Sequence, residues 1–297
     1  MSEKIEIYGL KINEEINLGM DLSKLIVREA ERQIGGIADG DIVVVTSKVV
    51  SKAEGKTFNL VEIRPSHKAI RLSKLYKTPS EVMELYFKVG RIVAVVPVKK
   101  FAQKFWHFFA EHAASLEGAR RVIEEHPYLF IINVGGKLLS WGGIDFSNAP
   151  PGHCTAPPAD PDESAKNIRM EIKKLTGKEV AVVIADTEWK LDKFGSVDVA
   201  VGSSGIQPVK KGFGGKDLYG KPKFGGVDNL VDLVSAAANM VFGQTSEATP
   251  VAIIRGLRYE KSEKGVKDIV YSRKVLREAL KAVIWESVKF KLVSKLP

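Results

Sequence analysis

Two short apolar runs constrain this chain more than any other feature: DIVVVT at residues 41–46 and EVAVVIA at residues 179–185. Each has the length of one strand and lacks a polar residue at every second position. They predict buried strands, of the kind found in sheets covered on both faces.

The punctuation around these runs is that of a mixed fold. Lys4–Tyr8 reads as a strand closed by a Gly9-Leu10 turn. Asp21 caps a helix that carries Leu22, Leu25, Ile26 and Ala30 on one face and stops at Gly35-Gly36. Residues 91–98 and 128–134 read as strands. Between them, residues 101–125 turn helical and aromatic through Phe101, Phe105, Trp106, Phe108 and Phe109, a stripe expected to pack in a core or interface. Asp160, Pro161, Glu163 and Gly177 frame a further helix with Ile168, Ile172 and Leu175 on its buried side. The strand at 179–185 runs straight into Asp186-Thr187. Residues 203–226, rich in Gly, Lys and Ser, form a long loop. A helix through Leu230, Val234, Ala238 and Val241 ends at Gly243, a strand follows at Val251–Ile254, and a basic helix closes the chain. Strands and helices alternate without a regular βαβ pattern, which predicts the α+β (mixed α/β) class.

Composition narrows the function. The 297 residues allow two ordinary domains or one large one. A single cysteine, Cys154, excludes an internal disulfide and any site built on several thiolates. The acidic N-terminus is unlike a secretory signal and no run approaches the ~20 apolar residues of a membrane span, so a cytoplasmic protein is expected. Of the net charge of +9, much sits near the C-terminus, where twelve Lys/Arg face five Asp/Glu from Arg255 onward. These charges interleave with Leu276, Leu280 and Ile284 at helical spacing, which reads as the wet face of an amphipathic helix; nucleic-acid binding is the weaker reading.

Several motifs fail. Gly215-Lys216 lacks the glycine five positions earlier and is followed by Asp217, so it is no phosphate-binding P-loop. His107 and His112 are five apart, off the four-residue spacing of a helical metal pair. What remains is polar residues beside buried strands. Ser47 and Lys48, with Ser51, Lys52 and Glu54 behind them, suit phosphate oxygens. Asp145 and Asn148, after Gly142-Gly143, offer hard oxygens or an Asx turn. Asp186-Thr187 offers a carboxylate and a hydroxyl for Mg²⁺ or Mn²⁺, or a helix cap.

Taken in order, SKVVSKAEG, GGIDFSNAPPG, PPADPDESA, VVIADT, FGSVDVAVGSSGI, GGKDLYG and AAANMVFGQTSEATPVAIIRGL resemble the coenzyme F420:L-glutamate ligase (gamma-glutamyl ligase) family. That resemblance implies an enzyme using GTP and two divalent ions, with a monovalent cation as a further candidate. It would add L-glutamate to a 5-deazaflavin-type acidic acceptor through an acyl phosphate. It also implies an intertwined homodimer of two-domain subunits: residues 1–95 with 228–297, and residues 96–227 with the aromatic stretch at about 100–126 inserted. Carried over by position, Asp145 and Asp186 would bind one metal, and Thr187 and Gln244 a second. Ser47, Lys48, Lys52 and Asn148 would contact the nucleotide, with Gly9, Leu10 and the Gly243-Gln244 region lining its pocket.

The resemblance thins at DTEWKLDKFG, where the family has DTxGR: Trp189 replaces a glycine and Lys190 an arginine. Trp141 stands where an asparagine is usual, four residues before Asp145. Two other readings therefore stand beside the ligase: a nucleotide- or coenzyme-binding paralogue without that activity, and a basic RNA-binding protein.

Overall fold

The computed structural model describes residues 4–190 and 192–294. Residues 1–3 of the acidic N-terminus, Leu191 in DTEWKLDKFG and Lys295 of the basic tail lie outside the described residues. The strands are β1 (Glu6–Leu10), β2 (Ile42–Thr46), β3 (Thr57–Asn59), β4 (Arg91–Val96), β5 (Leu129–Val134), β6 (Lys137–Ser140), β7 (His153–Thr155), β8 (Ala181–Trp189), β9 (Ser196–Ser204) and β10 (Val251–Arg255). The helices are α1 (Leu22–Ile34), α2 (Ser47–Ala53), α3 (His67–Tyr76), α4 (Ser80–Val89), α5 (Val98–Lys104), α6 (Trp106–Glu111), α7 (Leu116–Glu125), α8 (Pro161–Thr176), α9 (Leu230–Phe242) and α10 (Arg273–Val293).

Five strands form one sheet in the order β1-β10-β2-β8-β9, parallel only between β2 and β8. This mixed sheet bears out the α+β class. Its two faces explain the apolar runs. Val43, Val45, Val182 and Ile184 point at α1 and α8, while Ile42, Val44, Ala181 and Val183 point at α9, and all eight are fully buried. Burying each such Val or Ile contributes about 1.5–3 kcal/mol, enough to fix the register between the helical layers. Two of the five strands, β8 and β9, come from the 96–227 stretch assigned above to a second domain. A second core gathers Met83, Leu85, Tyr86, Phe130 and Ile132 where α3 and α4 cover the sheet β4-β5-β6.

The helix caps follow the sequence. The Asp21 carboxylate accepts from Lys24 N–H at 3.1 Å and that of Asp160 from Glu163 N–H at 3.1 Å. Gly35 and Gly177 end their helices in the left-handed region.

Four expectations change. Gly9-Leu10 is not a turn: β1 continues through both residues, which pair with Ala252 and Val251. The glycine serves close packing, because a Cβ there would stand 2.7 Å from Thr249 Cγ2 and 3.1 Å from Val241 Cβ. Nor does the strand stop at Asp186-Thr187. β8 runs on to Trp189, since β9 folds back to supply partners, pairing Asp186 with Val199 and Thr187 with Asp198. The aromatic stretch breaks into α5, α6 and α7, and none of its five aromatic side chains is buried. Finally, α10 has no buried residue, so Val283, Ile284 and Trp285 stand open to solvent along with its basic residues. Among the described residues no helix is long and apolar enough to cross a membrane.

Candidate active site

A cleft of about 740 Å³ opens between the two cores, within the range of sites that enclose a nucleotide-sized ligand. Its floor is the junction of β2, β8 and α2. One wall is the turn at 140–148 and the other is the loop at 243–250. Backbone bonds hold that loop in place, Ile12 N–H to the Ala248 carbonyl at 2.8 Å and Thr46 N–H to the Pro250 carbonyl at 3.0 Å.

Nearly every candidate reaches this cleft: Ser47, Lys48, Lys52, Asp145, Asn148, Asp186, Thr187, Gly243 and Gln244 all line it. Gly9 and Leu10 do not. They lie in β1, Leu10 fully buried, and the chain meets the cleft further on at Ile12, Glu14, Glu15 and Ile16.

The carboxylates are arranged unequally. Asp145 Oδ1 accepts from Ser147 N–H at 2.7 Å, so the Asx turn is real. Its other oxygen, Oδ2, stands 2.8 Å from Lys48 Nζ, which also donates to Ser147 Oγ at 2.6 Å. One residue thus serves both the turn and the cleft. Asp186 shows part of its surface in the cleft but is packed closely by protein. Burial first, then the negative charges of Glu188 and Asp145, push its carboxyl up to about 7; hydrogen bonds from the Ser47 hydroxyl and Thr187 N–H pull the other way. Thr187 Oγ1 donates to Asp198 Oδ1 at 2.7 Å. Among the described residues, no group of three or more His, Cys, Asp or Glu side chains is placed to hold a metal ion.

Asp198 was missed from sequence. It is 3% exposed, lines the cleft, and accepts from both Thr187 and Asn239 Nδ2, the latter at 2.9 Å. Burial pushes its carboxyl up, against those two hydrogen bonds. The signal was available: it is the lone charge in the apolar strand SVDVAVG. Backbone strain concentrates at the same place. Four described non-glycine residues have positive φ, and three of them, Trp141, Asn148 and Ala248, line the cleft. Cys154 is buried against the second core with its thiol pushed up to about 11, chiefly by burial, which makes it a packing residue.

The comparison with known proteins decides the class. The model of the F420-0:Gamma-glutamyl ligase family matches residues 9–256. The chain belongs to that family. It is 34% identical over 257 residues to the coenzyme F420:L-glutamate ligase of Methanopyrus kandleri, covering 86% of this chain and 88% of that protein. With the ligase of the same name from Archaeoglobus fulgidus it shares 31% identity over 280 residues, 94% of this chain and 98% of the relative. The ligase from Methanothermobacter thermautotrophicus is 31% identical over 274 residues, with 91% and 97% covered. Family membership makes the chain an acid–amino-acid ligase that uses glutamate. The matched span ends before α10, so the exposed helix lies outside what the family model describes.

Proposed function

We propose that this ligase uses a nucleoside triphosphate, GTP by family resemblance, to join L-glutamate to a coenzyme F420-type acidic acceptor. The observation that carries this reading is the convergence of three aspartates, two lysines and several hydroxyl and amide groups on one cleft, drawn from five separate segments of the chain. The acceptor carboxylate attacks the γ-phosphorus, an acyl phosphate forms as the nucleoside diphosphate leaves, and the glutamate amine then displaces phosphate to make the amide. Such chemistry asks the protein for alignment and charge rather than for a nucleophile.

The donors fit Mg²⁺ or Mn²⁺. All are oxygens, and a hard ion of this kind takes only one or two carboxylates, completing its shell with water and phosphate; three clustered acidic groups are not required. Bound there, the ion would neutralise phosphate charge during transfer. Asp145 and Asp186 would hold it, with Thr187 and Gln244 beside a second. Asp198, by accepting from the Thr187 hydroxyl, fixes the direction of that oxygen's lone pairs. Lys48 and Lys52 would meet the phosphates, with Lys48 exchanging Asp145 for phosphate oxygen. Incubation with GTP, Mn²⁺, L-glutamate and coenzyme F420-0 is expected to yield GDP and a product heavier by one glutamyl unit in the mass spectrum. Failure to release GDP would overturn the reading.

The same proposal includes a homodimer, supported by the arm at 209–229. Bridges between Val209 and Asn229 and between Lys216 and Pro222 shape it, and Asp217 fastens its tip by accepting from Tyr219 and Lys221 N–H at 2.9 Å. An ordered tip that leaves Leu218 and Phe224 102% and 97% exposed calls for a covering surface. Replacing both by serine is expected to shift the protein from dimer to monomer in sedimentation velocity; an unchanged dimer would remove the arm from the interface.

A further inference from the structure

We propose that Trp141 and Trp189 form an aromatic subsite in the cleft that grips the flat fused ring of the acceptor. This rests on the ligase reading and extends it to residues that reading leaves without a role.

Both indoles line the cleft, and a buried clasp ties together the two segments that carry them. The Glu188 carboxylate, 8% exposed, accepts from Ser140 N–H at 2.9 and 3.0 Å and from Ser140 Oγ at 2.7 Å. Trp141 and Trp189 are the next residues on the two clasped segments. Side chains alternate along a strand, so Trp189 shares its face of β8 with Thr187, about 7 Å away along the chain. A ring stacked on Trp189 therefore leaves its polar substituent toward Thr187, beside which phosphoryl transfer is proposed.

Trp141 packs in part against the second core, its ring 5.8 Å from that of His126, and yet lines the cleft as well; Trp189 has no such packing. Trp189 is 37% exposed and belongs to none of the hydrophobic clusters. Trp141 keeps a φ of 49°, a backbone region costly for a bulky residue, and its pose is fixed by donating Nε1–H to the Tyr128 carbonyl at 3.3 Å. Beyond Trp189, Phe194 meets Phe109 of α6 edge-on at 5.5 Å and His112 at 4.8 Å. The segment that carries Trp189 is thus held on both sides, by the Glu188 clasp and by the aromatic insertion. Indole faces recognise flat heteroaromatic rings by stacking, and the lysines for the nucleotide phosphates come from α2 rather than from these two segments.

Steady-state kinetics on Trp141→Leu, Trp189→Leu, the double variant and the two Trp→Phe variants test this. Each leucine is expected to raise the acceptor KM about tenfold, as loss of one stacked ring does, while KM for GTP stays put. Phenylalanine should restore most of the loss, which simple space-filling by leucine cannot. Titrating nucleotide-free wild type with coenzyme F420-0 should quench tryptophan fluorescence, and the double leucine variant should lose that response while keeping its thermal melt. An unchanged acceptor KM, or a raised GTP KM in its place, overturns the subsite. Quenching that vanishes in the double variant of a protein without turnover would sustain the subsite and sink the ligase reading; no quenching in an active wild type would do the reverse.

Discussion

On the proposal that its carboxylate holds the metal ion, Asp186→Asn is expected to lose on the order of 10³-fold in kcat while gaining stability in metal-free buffer. The two effects have one cause. Burial and the nearby carboxylates of Glu188 and Asp145 push Asp186 up to about 7 from an ordinary value of 3.8. In the unfolded chain the group ionises near its ordinary value, so between about pH 4 and pH 7 the unfolded state holds fewer protons than the folded one. Stability that is present at low pH is lost through that window and stays lost above it. Asparagine carries no such cost. Thermal melts in chelator should therefore show the variant rising relative to wild type from pH 4.5 to about 7 and levelling off beyond. A pH-independent difference, or full turnover by the variant, would contradict this account. Stability given up at a buried charge is a common mark of a functional site.

The largest loss of stability is expected from Asp162→Ala. This carboxylate, 7% exposed in the first turn of α8, accepts from Ser203 and Val266 N–H at 2.8 Å and from Lys267 N–H at 2.9 Å. It joins α8, the end of β9 and the segment leading to α10. Alanine leaves three backbone donors without acceptors in a space too tight for water to replace the carboxylate readily, since Gly265 packs directly against it. The cost should be about 3–5 kcal/mol. For a chain of this length that corresponds to roughly 10 °C in Tm, readable by calorimetry. Asp162→Asn keeps one acceptor oxygen for Ser203 and Val266 and should recover part of the loss. If alanine and asparagine melt alike, near wild type, the carboxylate is not the tie described.

The sandwiched sheet was legible in DIVVVT and EVAVVIA because strands apolar on both faces have only one comfortable place, between two helical layers. Caps at Asp21 and Asp160 were legible too, since a helix end is satisfied by residues three positions away. The order of the polar motifs, read against a family, brought nine of eleven named site residues to one cleft. What local pattern could not carry was anything decided by a distant partner. Gly9 reads as a turn until α9 and Thr249 press against it. Thr187 reads as a strand end until Asp198 pairs with it and takes its hydroxyl. Ser140 and Glu188 are unremarkable polar residues until they meet across 48 positions and tie together the segments that carry two tryptophans. The sequence by itself determined which segments must be buried and which helices begin and end where they do, because those follow from periodicity and caps within a few residues. Only the tertiary structure decided which charges face one another, and with that the state of Asp186, because burial and neighbouring charge act through space and leave no mark on the residues adjacent in the chain.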